Sequence, residues 1–321
     1  MEILFLGTSS GAPTKSRNMS ALSIRSTGAK QWYLVDCGEG TQHRILHTNF
    51  SLFHLSGIFI THIHGDHCYG LPGLLASAGM LNRTARMHIV GPPSVRRFVE
   101  GVIDTTELRL PYPIDYIEIE NSAAIDSFDD VQVQATPLSH RVPSFAYSFT
   151  EKAVEGKLDV AKLKSSGIPT GPAWSSIQQG RDLTLPDGRA VSAADYLLPR
   201  RKARKIIVGG DNDQPGLLTA EAQDADVLIH EATYTEEGLL KAGPAPQHSS
   251  AWRVALFAHE AKIRNLVLTH FSPRYHGHNE GKALLMELEK EAKSVYKGRL
   301  FMANDLDRYA LDKKGILSRL D

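Results

Sequence analysis

Six consecutive residues, His62-Ile63-His64-Gly65-Asp66-His67, put three imidazoles and a carboxylate into one short run of chain. In an extended segment the side chains of His62 and His64 alternate and can grip one ion. Gly65 permits a sharp turn, after which Asp66 and His67 face a second position. Imidazole nitrogen and carboxylate oxygen are ligands that zinc accepts, and a catalytic site keeps one coordination position for water. A turn that is merely rich in histidine is the plain alternative, and the density of chelating groups speaks against it. Three more ligand-type residues follow apolar runs in the same way: His140 after Val131–Ala135, Asp211 after Ile206-Ile207-Val208-Gly209-Gly210, and His270 after Leu266-Val267-Leu268-Thr269. Strand ends on one side of a layered sheet structure converge, so these termini can deliver ligands to one crevice. The spacing therefore predicts a two-metal hydrolytic centre.

Cys37 and Cys68 are not ligands in this reading. Cys37 packs beside Asp36, and a Cys after the ligand turn is more often buried than chelating. The chain has 14 histidines. His43, His47, His54, His88, His259, His276 and His278 are read as surface or satisfied, partly buried side chains.

The elements that must position these groups are short β-branched and apolar runs ending at turn signals. Strands are predicted at Ile3–Leu6, Trp32–Val35, Ile58–Ile60, Met87–Val90, Val131–Ala135, Phe145–Phe149, Lys205–Val208, Val227–Ile229 and Leu266–Leu268. Helices are predicted at Leu71–Leu81, Ser94–Ile103, Ser249–Glu260 and Gly281–Val295. The mixture reads as layered α/β, with helices on sheet faces. Residues 151–204 depart from it, with Lys152, Lys157, Lys162 and Lys164, then Gly171-Pro172, then Arg200-Arg201-Lys202 and Arg204-Lys205. Strand signal and apolar content are low there, so the segment is expected to be an insertion without a core of its own. From composition alone it is a solvated loop.

A length of 321 residues allows one large domain or two small ones. The 36 basic and 36 acidic residues cancel, which excludes a broad positive field and confines any nucleic-acid site to a local patch. No apolar stretch is long enough to cross a membrane, so no membrane partner is expected. The N-terminus carries an acid, Glu2, where a secretory signal carries bases, which favours the cytoplasm. Two cysteines exclude a disulfide framework and suit a reducing compartment.

The ligand run, with Asp36 upstream and His140, Asp211 and His270 downstream, resembles the metallo-β-lactamase superfamily over nearly the whole chain. The resemblance implies one catalytic domain, 1–321, folded as a four-layer αββα sandwich with an inserted flexible arm. Further motifs resemble the tRNase Z family, the endonucleases that trim the 3′ trailer of precursor tRNA. Pro13-Thr14-Lys15-Ser16-Arg17-Asn18 fits its PxKxRN loop, His230-Glu231-Ala232-Thr233 its HEAT loop, and His248-Ser249-Ser250 its HST loop. The insertion at 151–204, with Gly171 and Pro172, looks like the arm that grips the tRNA body. The chain departs from the family in Asn212-Asp213, where Thr-Arg is more usual, and in ending the HST loop with Ser250.

The resemblance implies two Zn²⁺ per subunit, with His62, His64 and His140 on one, Asp66, His67 and His270 on the other, and Asp211 bridging. Asp66 then orients the attacking water, while His248, oriented by Glu231, protonates the leaving oxygen. Lys15, Arg17 and Asn18 would meet the RNA near the cut, and Asp36 would anchor the ligand turn. The expected partners are precursor tRNA and a second copy in a homodimer. The competing expectation on the same fold is a hydrolase of small esters: an arylsulfatase, a lactonase or a cyclic phosphodiesterase. The basic arm and the PxKxRN loop argue against it, because a small substrate gives neither a purpose.

Overall fold

Alternation along the strands sorts their residues onto two faces. In the computed structural model, which describes residues 1–152, 154, 156–276 and 278–320, Trp32 and Leu34 of strand Trp32–Val35 turn to one side. There they join Leu4, Leu6, Ile58 and Ile60 in an apolar cluster with Leu71, Leu74 and Leu75 of helix Leu71–Met80 and Val95 and Val99 of helix Pro93–Thr105. Tyr33 and Phe59 turn the other way. Phe59 lies 5.3 Å from the ring of Tyr147 and 5.0 Å from that of Phe149, both on strand Ser144–Glu151 of a second sheet. Such aromatic pairs contribute ~0.5–1.5 kcal/mol each beyond area burial, and here they glue sheet to sheet.

The first sheet runs Leu317–Leu320, Arg308–Leu311, Glu2–Gly7, Ala21–Arg25, Trp32–Val35, Leu55–Phe59, Met87–Gly91, Ile114–Glu118. The second runs Arg299–Met302, Asn265–Thr269, Val227–Glu231, Lys205–Val208, Ser144–Glu151, Val131–Leu138, Ala123–Ile125. On its outer face Ile207, Leu228, Leu266 and Leu268 pack with Val254, Ala255 and Ala258 of helix Ala251–Glu260 and with Leu288 and Ala292 of helix His278–Val295. The layers are therefore helix, sheet, sheet, helix, as expected. Strands Lys205–Val208, Val227–Glu231 and Asn265–Thr269 are parallel neighbours, and so are Trp32–Val35 and Leu55–Phe59. Their carboxyl ends open on one side, which is the property that makes a site.

All the predicted strands and helices are present. Strands Ala21–Arg25, Ile114–Glu118, Ala123–Ile125, Arg299–Met302, Arg308–Leu311 and Leu317–Leu320 were not predicted. Each is short, and all but Ala123–Ile125 mix charges with apolar residues, so no clear period emerges. The side chains of His276 and His278 lie outside the described residues.

Residues 129–131 and 151–203 form a second compact unit. The expectation of an insertion without a core is corrected: Leu163, Ile168, Ile177, Leu185, Val191 and Ala193 are buried together in it. Helices Val160–Ser165 and Pro172–Gln178 and two small antiparallel ladders, Lys157–Leu158 with Leu197–Leu198 and Leu183–Thr184 with Ala190–Val191, surround that cluster. The apolar residues are spread too thinly along the chain to be seen as a core in advance. Lys152, Lys157, Lys162, Lys164 and Arg200 are exposed. Arg204, which the sequence grouped with this segment, belongs to the large unit, where its guanidinium donates to the Leu311 carbonyl at 2.6 Å.

Candidate metal centre

The strand ends bring all seven predicted ligands together. His62 follows strand Leu55–Phe59, His140 follows Val131–Leu138, Asp211 follows Lys205–Val208 and His270 follows Asn265–Thr269. His62, His64, His140 and Asp211 form one group in which a ligand atom from each lies within 4.8 Å of the others, and Asp66, His67 and His270 form another. Asp211 faces both. Its Oδ2 is 3.6 Å from His62 Nε2 and 3.8 Å from His140 Nε2. Its Oδ1 is 3.6 Å from His67 Nε2 and 3.4 Å from His270 Nε2.

These separations test whether a cation fits. Four ligands around a small divalent ion with bonds of ~2.0–2.1 Å stand roughly 3.3–3.4 Å apart at tetrahedral angles. His140 Nε2 and His64 Nδ1 are 3.1 Å apart, His67 Nε2 and His270 Nε2 3.2 Å, and His270 Nε2 and Asp66 Oδ2 3.4 Å. His62 Nε2 and Asp211 Oδ1 are buried without a hydrogen-bond partner among the described residues, an expensive arrangement unless something else satisfies them. The groups fit a metal pair.

The charge balance agrees. Burial, and then the neighbouring histidines, push His62 well below the usual imidazole range, and burial lowers His64 and His140 as well. Those rings are neutral and ready to coordinate at neutral pH. Burial opposes the charge on His67, but the carboxylates of Asp36, Asp211 and Asp66 outweigh it and raise the ring to about 10. Burial likewise opposes ionisation of Asp66, and His67 and His270 overcome it, holding the carboxyl far below the usual range. Negative charge crowds the pocket and calls for cations.

Backbone and outer hydrogen bonds aim the ligands. Asp36 Oδ2 meets His67 Nδ1 at 2.7 Å, while its Oδ1 accepts the Thr61 N–H at 2.8 Å. Asp36 thus anchors the ligand turn from outside the ligand set. His140 Nδ1 donates to the Gln247 carbonyl at 2.9 Å, and His270 Nδ1 lies 3.0 Å from Thr233 Oγ1. Each such contact fixes which ring nitrogen faces the centre. Asp36, Gln247 and His270 have φ of 58°, 52° and 58°, conformations that non-glycine residues hold only when the surroundings enforce them. Gly65, expected to allow a sharp turn, has a different role. It opens the short helix Gly65–Cys68, and a Cβ there would sit 2.2 Å from the Tyr69 ring.

Glu231 and His248 meet beside the ligands. His248 Nδ1 is 3.3 Å from Glu231 Oε1 and 3.7 Å from Asp211 Oδ2. Burial opposes its protonation, but the charges of Asp211 and Glu231 raise it to about 9. Glu231 itself is fixed by the Thr233 N–H at 2.9 Å, the Thr233 hydroxyl at 2.7 Å and the Ser249 N–H at 2.7 Å. A protonated imidazole next to a metal-type site is a ready proton donor.

The loop residues divide. Lys15 is exposed, as a substrate contact must be. Arg17 is corrected from a substrate donor to a loop anchor. It is 4% exposed, its guanidinium donates to Thr8 Oγ1 at 2.5 Å, the Ala303 carbonyl at 2.6 Å and Asn304 Oδ1 at 2.8 Å, and it stacks on Phe271. The Asn18 N–H donates to Asp305 Oδ2 at 2.7 Å, while its Nδ2 has no partner among the described residues. Gly171 and Pro172 lie in the small unit, exposed; Gly171, at φ 100°, precedes a helix that Pro172 begins. Both cysteines are buried, and burial pushes Cys68 up to about 12 and Cys37 higher still, as befits packing rather than coordination.

Sequence reasoning missed the residues that join the loops. The Gly11 N–H donates to Asp66 Oδ2 at 2.7 Å. Asn212 is fully buried: its Oδ1 accepts the Ser139 N–H, its Nδ2 meets His230 Nε2, and its carbonyl accepts the Ser249 hydroxyl. It thus ties together the turns that carry His140, Glu231 and His248. The sequence marks Asn212 only as a departure from Thr-Arg and carries no signal of these contacts.

Comparison with known proteins fits this geometry. A family model described as anti-Pycsar protein Apyc1 matches residues 1–149, a region that ends before Asp211, Glu231, His248 and His270. The metallo-β-lactamase fold protein YhfI of Bacillus subtilis superposes with a TM-score of 0.64 at 17% identity, covering 96% of this chain and 98% of that one, which establishes the fold. Human tRNase Z, short form (ELAC1), superposes with a TM-score of 0.65 at 25% identity over 97% of this chain and 100% of its own. The ribonuclease Z of Marinobacter nauticus is 51% identical over 100% of this chain and 99% of its own length. A match of that depth, from end to end of both chains, means that the chain belongs to the ribonuclease Z family.

Proposed function

We propose that the protein is a zinc-dependent endoribonuclease that removes the 3′ trailer of precursor tRNA by hydrolysing one phosphodiester. The observation that carries the reading is the buried His248–Glu231 pair, 3.3 Å apart, with His248 Nδ1 3.7 Å from Asp211 Oδ2 at the edge of the metal-type cluster. Hydrolysis of an aryl sulfate has less need of a built proton donor there, because a phenoxide is less basic than a ribose alkoxide. Family membership favours RNA over the small-ester alternative.

His62, His64 and His140 would hold one zinc, Asp66, His67 and His270 the other, with Asp211 shared. When bound, the ions supply an acidified water and electrostatic stabilisation of the phosphoryl oxygens. Asp66, held by the Gly11 N–H, orients the attacking water and accepts its proton. His248 delivers a proton to the departing 3′-oxygen, and Glu231 keeps the imidazole in line. The upstream RNA then ends in a 3′-hydroxyl and the trailer begins with a 5′-phosphate. Lys15 and the Asn18 amide offer donors near the cut, and the exposed lysines of 151–203, with Gly171-Pro172, suit a clamp on the tRNA body.

Self-association fits an apolar surface on the large unit: Leu46, Phe53, Met80 and Leu81 are exposed, close to the helices Thr41–Ile45 and Leu71–Met80. A homodimer buries such a patch. No helix among the described residues is long and apolar enough to cross a membrane, and the low cysteine count suits the cytoplasm. The test is turnover of a 3′-extended tRNA against an aryl sulfate, a lactone and a cyclic nucleotide. The reading expects kcat/KM to be highest on the tRNA by orders of magnitude, and preference for any small ester would overturn it.

A further inference from the structure

The mouth of the site on the His248 side carries an arrangement that the proton-transfer chemistry leaves unused. The Tyr234 ring stands edge-on to His248, centroids 6.0 Å apart. The guanidinium of Arg274 lies over the Tyr234 ring, 5.0 Å from its centroid, and Arg274 Nε donates to Ser272 Oγ at 3.1 Å. Tyr234 is 8% exposed whereas Arg274 is exposed. The layered pair therefore presents a flat cationic plane to solvent, backed by an aromatic ring and held at its Nε. Arg141, also exposed, is near enough to act electrostatically on both His64 and Tyr234. A solvated ion pair does not explain these two arginines: neither forms a salt bridge with a carboxylate among the described residues.

The direction of the reaction says what this plane faces. In an in-line displacement the attacking water and the leaving oxygen lie on opposite sides of phosphorus. The leaving 3′-oxygen belongs to the last nucleotide retained on the RNA, and it must approach His248 to be protonated. The nucleotide that carries this oxygen therefore approaches the side of His248 on which Tyr234 and Arg274 lie. Unpaired RNA bases stack on aromatic rings and on arginine planes.

We propose that Arg274, backed by Tyr234, is the seat of the last retained nucleotide, its guanidinium plane stacking on the base while Arg141 meets the phosphate on that nucleotide's 5′ side. The inference rests on the functional reading above, and it makes Arg274 a specificity residue rather than part of the proton-transfer machinery.

The test uses the metal-loaded full chain and two 3′-extended tRNAs, one ordinary and one abasic at the last retained nucleotide. Bis(p-nitrophenyl) phosphate serves as a substrate that has no base. Arg274→Ala should lower kcat/KM on the ordinary tRNA by about tenfold or more, the scale of one base stack. It should leave the small diester and the metal content unchanged, and the loss should vanish on the abasic tRNA. Arg274→Lys should not rescue, because it keeps the charge and loses the plane. Equal losses on the two tRNAs, rescue by lysine, or an equal loss on the small diester would each overturn the seat. Wild-type protein that hydrolyses the diester but leaves the ordinary tRNA uncut would instead refute the functional reading, and the seat with it.

Discussion

Replacing Asp36 by Asn isolates the contribution of a carboxylate that touches no metal position. Asn tolerates the φ of 58° found here, so the backbone is not the variable. What changes is the pairing. Asp36 receives the Thr61 N–H at 2.8 Å on one oxygen, and His67 Nδ1 at 2.7 Å and the Thr61 hydroxyl at 3.0 Å on the other. If the new NH₂ takes the second place, it confronts a donor on His67. If it takes the first, it confronts the Thr61 N–H. The His67 ring can escape only by moving its proton to Nε2, the nitrogen that faces Asp66, Asp211 and His270, and a protonated nitrogen cannot coordinate. A buried unmet donor costs ~1–3 kcal/mol, and losing such an orienting contact typically weakens metal binding by about 10–100-fold. The assay titrates metal-free wild-type and Asp36→Asn proteins with Zn²⁺ against a competing indicator, with circular dichroism to verify the fold. The weaker site should lose about one to two orders of magnitude in affinity. A folded variant with unchanged affinity at both sites would refute the argument that Asp36 sets the His67 tautomer.

Other substitutions separate ligands from proton carriers. His67→Ala should lose one metal equivalent by elemental analysis and with it turnover; full activity would refute the ligand assignment. His248 also lies within reach of Asp211 and His270 as a possible ligand, so His248→Ala is informative: metal content should stay intact while kcat falls about 10²–10⁴-fold. Replacing 152–203 with a tight turn is feasible because Thr150 and Lys205 are paired across antiparallel strands. The shortened protein should hydrolyse bis(p-nitrophenyl) phosphate as the wild type does and lose cleavage of a 3′-extended tRNA, measured by gel assay.

The ligand set was legible because chemistry forces it to be written locally. Imidazoles and carboxylates must stand at strand ends, and strand ends are marked by apolar runs such as Ile58–Ile60 and Leu266–Leu268. What lay beyond the sequence was pairing over long separations. Nothing near Gly11 announces that its N–H reaches Asp66, and nothing near Asn212 announces that it meets Ser139, His230 and Ser249. Arg17 shows the converse: a motif arginine looks like a phosphate donor until burial against Phe271 and the Ala303 carbonyl shows it to be a fastener. The small unit eluded prediction for a related reason. Its core is a handful of apolar residues spread from Leu163 to Ala193, with no long apolar run among them.

The most direct test of the whole account is the chemistry of the cut ends. Zinc-loaded protein is incubated with a 3′-extended precursor tRNA in ¹⁸O-labelled water, and both products are analysed by mass spectrometry. Attack by water positioned at Asp66, with protonation of the leaving oxygen by His248, predicts an unlabelled 3′-hydroxyl on the tRNA and one ¹⁸O in the 5′-phosphate of the trailer. A 3′-phosphate or 2′,3′-cyclic phosphate on the tRNA, with a 5′-hydroxyl on the trailer, would contradict it.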